Sequence, residues 1–183
     1  MKKVSWFTTL IIVLGLTNLN AQETKFGIKG GLNFAQITGA NSLKSDRKTD
    51  FNVGVMAEIP ISEKFSFQPE LLYSKQGSSV NLDYLNIPLL GKYYLTEGLS
   101  IQAGPQIGFL LSANTNGVNV KRSFKTFDFG VDVGLGYQFK NGLSLGARYN
   151  YGLSNISTGA ANQYASTKIK NEVFQVSIGY FLF

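Results

Sequence analysis

The chain has 183 residues and a formal net charge of +6, and it contains neither cysteine nor histidine. These absences exclude disulfides, thiolate chemistry and imidazole-based catalysis. Charged residues make up 15% of the chain, against about 25% in an ordinary soluble domain. Aromatic residues reach 13%, so the composition argues against disorder and fits one folded domain.

The N-terminus has the organisation of an export signal. A basic "MKK" precedes the apolar run "VSWFTTLIIVLGL", and "TNLNA" then leads to Ala21. The run is shorter than the roughly 20 residues of a transmembrane helix and has the length of a signal-peptide core. We therefore predict a signal peptide over residues 1–21 and one mature domain over residues 22–183.

Eight segments then alternate apolar and polar residues, which is the periodicity of β-strands, and no segment has helical periodicity. The fourth segment changes phase, because Leu82 and Tyr84 are apolar at even positions and Leu85 and Ile87 at odd ones. This change predicts a β-bulge near residues 84–86. The predicted strands are residues 25–35, 50–60, 65–75, 80–95, 99–113, 127–139, 143–153 and 172–183.

Prolines predict irregular positions within these strands, and short polar segments predict the tight turns that join them. We expect bulges or strand-edge irregularities at the three prolines inside predicted strands, because proline lacks a backbone N–H. These are Pro69, Pro88 and Pro105. Three-residue turns are predicted at "SEK" (62–64), "TEG" (96–98) and "KNG" (140–142).

The "KNG" turn sets a register. With three residues in the loop, Phe139 faces Leu143 and Tyr137 faces Leu145, so apolar side chains meet along both strands. Gly98 and Gly142 occupy the turn position that takes a left-handed conformation. Longer polar connections occupy residues 37–49, 76–79, 113–125 and 155–170.

Tight turns at one end and long loops at the other predict an all-β fold, an eight-stranded antiparallel up-and-down transmembrane β-barrel. A soluble, lipocalin-like barrel with its apolar face inward is the alternative. The membrane barrel is favoured because the apolar faces are almost free of charge and the chain ends on Phe183. We expect an outer-membrane location with both termini on the periplasmic side.

An outward apolar face leaves eight ionisable residues facing the interior, four positive and four negative. A narrow interior holds unpaired charge only at high cost, so these residues are expected to pair and plug the lumen. Arg148 falls opposite Gly134, with Asp132 as its diagonal neighbour. The predicted structural network consists of Lys25, Lys29, Glu58, Glu70, Lys92, Asp128, Asp132 and Arg148.

Basic residues in the long loops are candidates for contact with lipopolysaccharide phosphates or acidic glycans at an outer surface. An ordinary solvated rim is the alternative interpretation. The candidate contact residues are Lys44, Arg47, Lys48, Lys121, Arg122 and Lys125.

Three motifs that suggest chemistry have simpler explanations. "GLG" at 134–136 is followed by no helix that could bind a phosphate, and "SDRK" at 45–48 lies in a charged loop. Asp128 and Asp132 lie about 13 Å apart along one strand, too far for a glycosidase pair. We predict no catalytic residue, no cofactor and no metal.

Several strings carry a family resemblance across the mature chain: "KFGIKGGLNFAQITG", "FSFQPELLYSKQG", "LDYLNIPLLGKYYL", "IQAGPQIGFLLSA" and "FDFGVDVGLGYQF". The sequence resembles the outer-membrane β-barrel proteins (porin-family, PorT-like) of the Bacteroidetes. The resemblance implies an eight-stranded outer-membrane barrel without catalytic residues, although eight strands leave little channel. PorT is linked to type IX protein secretion, and a shared barrel does not transfer that role.

The leading hypothesis is a non-enzymatic integral outer-membrane barrel with a structural, adhesive or secretion-accessory role and its long loops as the contact surface. Its expected partners are outer-membrane lipid, lipopolysaccharide and the barrel-assembly machinery, and not nucleic acid. A narrow channel or a small-ligand barrel is the alternative. An outer-membrane enzyme acting on lipid A or peptides is the least favoured.

Overall fold

The computed structural model describes residues 24–39, 48–77, 80–158 and 169–182. The predicted signal peptide lies outside the described residues. Among the described residues the only helix is a 3-10 turn, Lys121–Ser123, and none is long and apolar enough to cross a membrane. The strands are β1 (Lys25–Gly39), β2 (Lys48–Pro60), β3 (Phe65–Gly77), β4 (Asn81–Tyr94), β5 (Leu99–Thr115), β6 (Val118–Asn119), β7 (Phe127–Gln138), β8 (Leu143–Gly152) and β9 (Ile169–Phe181).

Eight long strands form a closed ring. Each pairs antiparallel with its neighbours in the order β1–β2–β3–β4–β5–β7–β8–β9, and β9 pairs with β1 to close the ring. The two-residue β6 lies outside the ring and pairs only with the end of β5. The predicted eight-stranded barrel is therefore confirmed. Five strands (β1, β2, β3, β5 and β9) run further toward the long loops than predicted, because their polar end residues still pair with a neighbouring strand.

The tight turns follow the predicted register. Tyr137 pairs with Leu145, and the Phe139 N–H donates to the Leu143 carbonyl oxygen at 2.8 Å. Gly142 has a φ of +88°, as predicted, but Gly98 does not have a positive φ, so that prediction is wrong. Thr96 explains the difference, because its hydroxyl oxygen accepts from the Leu99 N–H at 3.2 Å and closes that turn.

A register shift is found beside the predicted position, between Asp83 and Tyr84 of the β4–β5 ladder, but the extra residue belongs to β5 and not to β4. β4 keeps one register with β3, and its even residues from Leu82 to Lys92 all face the interior. The irregularity lies across the ladder in β5, where Asp83 pairs with Ser112 but Tyr84 pairs with Leu110. One extra residue in β5 lets both Leu110 and Ala113 face inward. The phase change in β4 therefore marks an apolar stretch of the interior.

At the three prolines no register changes, so bulges there are wrong, but the predicted irregularities are found, because one ladder omits two pairs beside each proline. Pro88 pairs with Gln106 and Pro105 pairs with Val131, each without a change of register. Beside Pro69 the ladder omits two pairs, and the register on either side is the same. The physical reason is that each proline removes one donor, which costs one ladder bond and does not require an extra residue.

The outer wall is an apolar belt with aromatic residues at both ends, which is typical of membrane barrels. Aliphatic side chains fill the middle of the belt, so the apolar face points outward and the lipocalin-like alternative is wrong. From Phe127 to Tyr137, β7 covers about 33 Å, or about 25 Å in height at the usual tilt. The aromatic residues are Phe65, Tyr93, Tyr137, Phe139 and Tyr180 toward the tight turns and Phe34, Phe51, Phe109, Phe127, Tyr149 and Phe174 toward the loops.

The substitution Gly54→Ala tests how closely β2 and β3 approach each other. A Cβ atom at this position would lie 2.0 Å from the Leu71 carbonyl oxygen, whereas one at Gly30 would meet only the Asn52 carbonyl oxygen at 3.7 Å. We expect Gly54→Ala to lower folding stability by about 2 kcal/mol and Gly30→Ala to leave it unchanged. The measurement is the temperature at which the compact band on an SDS gel converts to the unfolded band. Equal temperatures for the two variants would contradict the packing described here.

Candidate functional site

Four charged side chains meet in the middle of the lumen and form the central cluster: Lys29, Glu70, Asp132 and Arg148. The Glu70 carboxylate accepts from Lys29 Nζ at 3.0 and 3.1 Å and from Arg148 Nη2 at 2.8 Å. Arg148 Nη1 lies 3.5 Å from Asp132 Oδ2. All four residues are buried, and their formal charges cancel. The cluster therefore links β1, β3, β7 and β8 across the lumen.

The local sequence makes room for this cluster. Arg148 pairs with Gly134, as the "KNG" register predicts. A Cβ atom at Gly134 would lie 3.0 Å from the Arg148 Cβ. Two amides add hydrogen bonds to the cluster: Asn150 Nδ2 donates to Asp132 at 2.8 Å, and Gln68 Nε2 donates to Glu70 at 2.6 Å.

A second ion pair lies nearer the tight turns. Lys92 Nζ lies 2.8 Å from Glu58 Oε2, and the Tyr94 hydroxyl also donates to Glu58. The Lys92 ammonium is 5.0 Å from the centre of the Tyr94 ring and 5.8 Å from that of Phe181. Lys25 is the backbone partner of Glu58 but is exposed, and no ion pair to it is found within the described residues.

Asp128 stands apart from both clusters. It is buried near the loop end of the lumen and accepts a hydrogen bond from the Ser154 hydroxyl. No cation lies within 4 Å of it in the described part of the chain. The structure therefore brings six of the eight predicted interior residues into two clusters and leaves Lys25 and Asp128 outside them.

An apolar cluster that the alternation did not predict occupies one side of the loop end of the lumen, beside buried amides such as Asn171 and Gln76. Leu82 and Tyr84 were assigned to the apolar, lipid-facing side, but both are buried inside. The signal was present in the phase change of β4, which a bulge explained equally well. The apolar cluster consists of Leu82, Tyr84, Leu110, Ala113 and Ile156, with Ile37, Val80, Val120, Phe124 and Ile169 packed against it.

The β5–β7 connection folds over this apolar cluster. The Val120 N–H donates to the Ala113 carbonyl oxygen at 2.9 Å, and the Lys125 N–H donates to that of Ile156 at 2.8 Å. The Thr158 hydroxyl donates to the Arg122 carbonyl oxygen at 3.0 Å. Three candidate contact residues are thereby held in an ordered segment, and we call them the basic platform: Lys121, Arg122 and Lys125.

The other candidate contact residues are placed differently. Lys44 and Arg47 lie outside the described residues. Lys48 belongs to β2, where its ammonium lies 2.9 Å from Asp50 Oδ2 and donates to the Asn81 side chain. Lys48 is therefore held within the barrel rim.

Little free space remains between the two ionic clusters. The interior cavity there has a volume of about 30 Å³ and is lined by Lys29, Gln68, Lys92 and Gln102 among others. A buried water requires about 10–15 Å³ by this measure, so the cavity has room for about two or three waters at most. A larger recess of about 770 Å³ is open at the tight-turn end.

A closed barrel with a polar interior and an apolar outer belt defines an integral membrane barrel. The chain belongs to the outer membrane protein beta-barrel domain family, whose description matches residues 20–158. Members of this family are barrels of the outer membrane, and that is where the protein is located. No curated protein matches the sequence with significant similarity.

Solved structures support the same fold. Neisserial surface protein A is 15% identical over 87% of this chain and 99% of its own, with a TM-score of 0.56. Ail, the attachment invasion locus protein of Yersinia pestis, is 13% identical over 88% of this chain and 100% of its own, with a TM-score of 0.55. A second structure of Ail, in complex with the heparin analogue sucrose octasulfate, has a TM-score of 0.52.

Glu70→Gln tests the central cluster. The change leaves the buried cations Lys29 and Arg148 without their shared carboxylate, so we expect a loss of about 3 kcal/mol or more in folding stability. The control is Glu97→Gln, because the Glu97–Lys140 pair is solvent-exposed and such pairs contribute little. The measurement is urea unfolding of the refolded barrel, followed by circular dichroism. A Glu70→Gln barrel as stable as the Glu97→Gln barrel would refute the assignment.

Proposed function

We propose that the protein is a non-enzymatic outer-membrane barrel that presents its loop end as a contact surface for anionic glycans, including the phosphorylated sugars of lipopolysaccharide. The observation that carries this proposal is the basic platform, Lys121, Arg122 and Lys125, anchored over the closed end of the barrel. Arg122 and Lys125 are exposed. Cations fixed in one place attract a polyanion at a lower entropic cost than cations on a mobile loop.

Apolar contacts as well as hydrogen bonds hold the basic platform in place. Val120 and Phe124, which flank the platform in sequence, pack against the apolar cluster inside the lumen. A bridge between Phe124 and Ser157 joins the platform to the segment that follows β8. The barrel interior therefore supports the external surface directly.

The filled lumen supports a surface role over a channel role. The paired charges of the interior and the plug they form are part of this proposal: they hold the barrel closed and have no catalytic task. In the described part of the chain, the apolar cluster at the loop end and the 30 Å³ cavity between the ionic clusters leave little room for water. Eight-stranded barrels are generally just wide enough for their own side chains.

The structural relatives are consistent with this role, although identities of 13–15% establish only a common fold. The name of Ail describes an attachment protein, and its complex shows that a barrel of this fold accommodates a heparin analogue. The sequence strings "FSFQPELLYSKQG" and "LDYLNIPLLGKYYL" support a narrower place among PorT-like barrels of the Bacteroidetes. The proposal also includes export by the signal peptide, insertion by the barrel-assembly machinery and a periplasmic location of both termini. A secretion-accessory role is the second candidate function.

Removal of the platform charges tests the glycan contact. We expect the triple change Lys121→Gln, Arg122→Gln and Lys125→Gln to weaken binding to immobilised heparin and to purified lipopolysaccharide by about tenfold or more. The control removes three charges at the tight-turn end: Lys25→Gln, Lys64→Gln and Lys140→Gln. Because both variants have the same net charge, an equal loss in the two would show that binding reflects charge alone and would overturn the proposal.

Planar-bilayer recording tests the closed lumen. Because the interior is filled by ion pairs and by the apolar cluster, we expect the refolded protein to show no steady conductance above the detergent background. A refolded sample that runs as a compact band on an unheated SDS gel ensures that inserted barrels are measured. Steady single-channel steps from such a sample would favour the narrow-channel alternative.

A further inference from the structure

The lipid-facing wall contains an aromatic pocket with one carboxylate at the loop-side edge of the apolar belt. It has a volume of about 410 Å³ and is lined by Phe34, Gln36, Tyr149, Glu172 and Phe174. Phe34 pairs with Phe174, and Gln36 pairs with Glu172, one step closer to the loops. The Glu172 carboxylate therefore lies immediately beyond the upper aromatic residues, at the depth where lipid headgroups begin.

Neutral groups hold the Glu172 carboxylate in place. It accepts from Gln36 Nε2 at 2.9 Å, from the Thr38 hydroxyl at 3.0 Å and from the Tyr149 hydroxyl at 2.6 Å. A carboxylate offers about four acceptor positions, and donors from the described residues occupy three of them. No lysine or arginine of the described chain lies within 4 Å of this carboxylate.

Lys170, two residues along β9, attracts the Glu172 carboxylate electrostatically but forms no ion pair with it within 4 Å. Its ammonium lies 5.0 Å from the centre of the Tyr151 ring. An anion on the lipid-facing wall is costly unless a cation or water compensates it. Three donors from β1 and β8 instead fix the carboxylate in one orientation, which prepares it for an external cation.

The pocket walls suit an organic cation. The Phe34 and Phe174 rings have centroids 6.2 Å apart at an angle of 37°, and Tyr149 forms the third aromatic side. Aromatic faces attract ammonium groups and also contact the methylene groups attached to them. One carboxylate combined with three aromatic rings is a recognition site for an alkylammonium group.

We propose that this pocket binds the ammonium group of an amine-bearing lipid headgroup from the surrounding leaflet. The depth of the site favours a lipid over a dissolved amine, because the pocket opens at the edge of the apolar belt. A headgroup that carries only phosphate would meet the Glu172 charge and be repelled. A primary ammonium can donate a hydrogen bond to the Glu172 carboxylate, which a quaternary ammonium cannot do.

Asp83 provides a matched control on the same wall. It also lies one step beyond the upper aromatic residues, but its backbone partner is Lys75, which supplies a cation nearby. It lines none of the pocket around Glu172. Asp83→Asn therefore removes the same charge from the same depth without touching the pocket.

Lipid retention measured by native mass spectrometry tests the proposal. The full chain, released from mixed micelles containing equal amounts of phosphatidylethanolamine, phosphatidylcholine and phosphatidylglycerol, is expected to retain phosphatidylethanolamine about tenfold over phosphatidylglycerol and several-fold over phosphatidylcholine. Glu172→Gln is expected to abolish this preference, and Asp83→Asn is expected to keep it. Phe174→Leu, which removes one ring and keeps the carboxylate, is expected to reduce the retention of both amine lipids.

Three results would contradict parts of the proposal. Equal retention of the three lipids by the unmodified chain, or an unchanged preference in Glu172→Gln, would overturn the proposal. Competition by dissolved ethanolamine at the lipid's own concentration would overturn the assignment to a lipid. Compact migration on an unheated SDS gel establishes that every variant compared is folded, and Phe174→Leu tests the pocket independently of Glu172.

Discussion

The Glu70 carboxylate, shared by Lys29 and Arg148, is the interaction on which the rest of the barrel depends. It connects three strands that are distant in sequence, in the middle of the lumen. An eight-stranded barrel has room inside for its own side chains and little more. A charged group in that space must therefore find its partner on an opposing strand, and glycines such as Gly134 provide the room for it.

This constraint divides the molecule into regions of different chemistry. The middle of the lumen is ionic, the loop end combines the apolar cluster with buried amides, and the outer belt is apolar between its two rings of aromatic residues. Because the apolar cluster includes side chains from the loops, burial at that end orders the surface above it. The part of the protein that meets the exterior is thus stabilised by ordinary hydrophobic packing, even though the lumen below it is polar.

Much of the fold could be predicted from the sequence, because alternation and turn parity are local properties. The "KNG" turn alone placed Arg148 opposite Gly134. The side of the barrel that Leu82 and Tyr84 face could not be decided in this way. A phase change arises either from a bulge or from an apolar interior, and the choice depends on the extra residue in β5, which is a non-local property. The sequence also could not show that Lys25 and Asp128 lie outside the two ionic clusters. Ion pairing requires an opposite charge nearby across the lumen, and neither residue has one within 4 Å among the described residues.

Glu172 shows the same limit on the outer wall. From the sequence it is a charge at the start of a strand, where a solvated position is the ordinary expectation. β9 begins earlier, at Ile169, which moves Glu172 inside the paired region and turns it toward lipid. Its three hydrogen-bond donors come from β1 and β8, so no local sequence pattern in β9 predicts the pocket around Glu172. A charge costs free energy at this depth, and here three neighbouring side chains orient it while Lys170 attracts it only from a distance, so an ammonium ligand would complete its compensation.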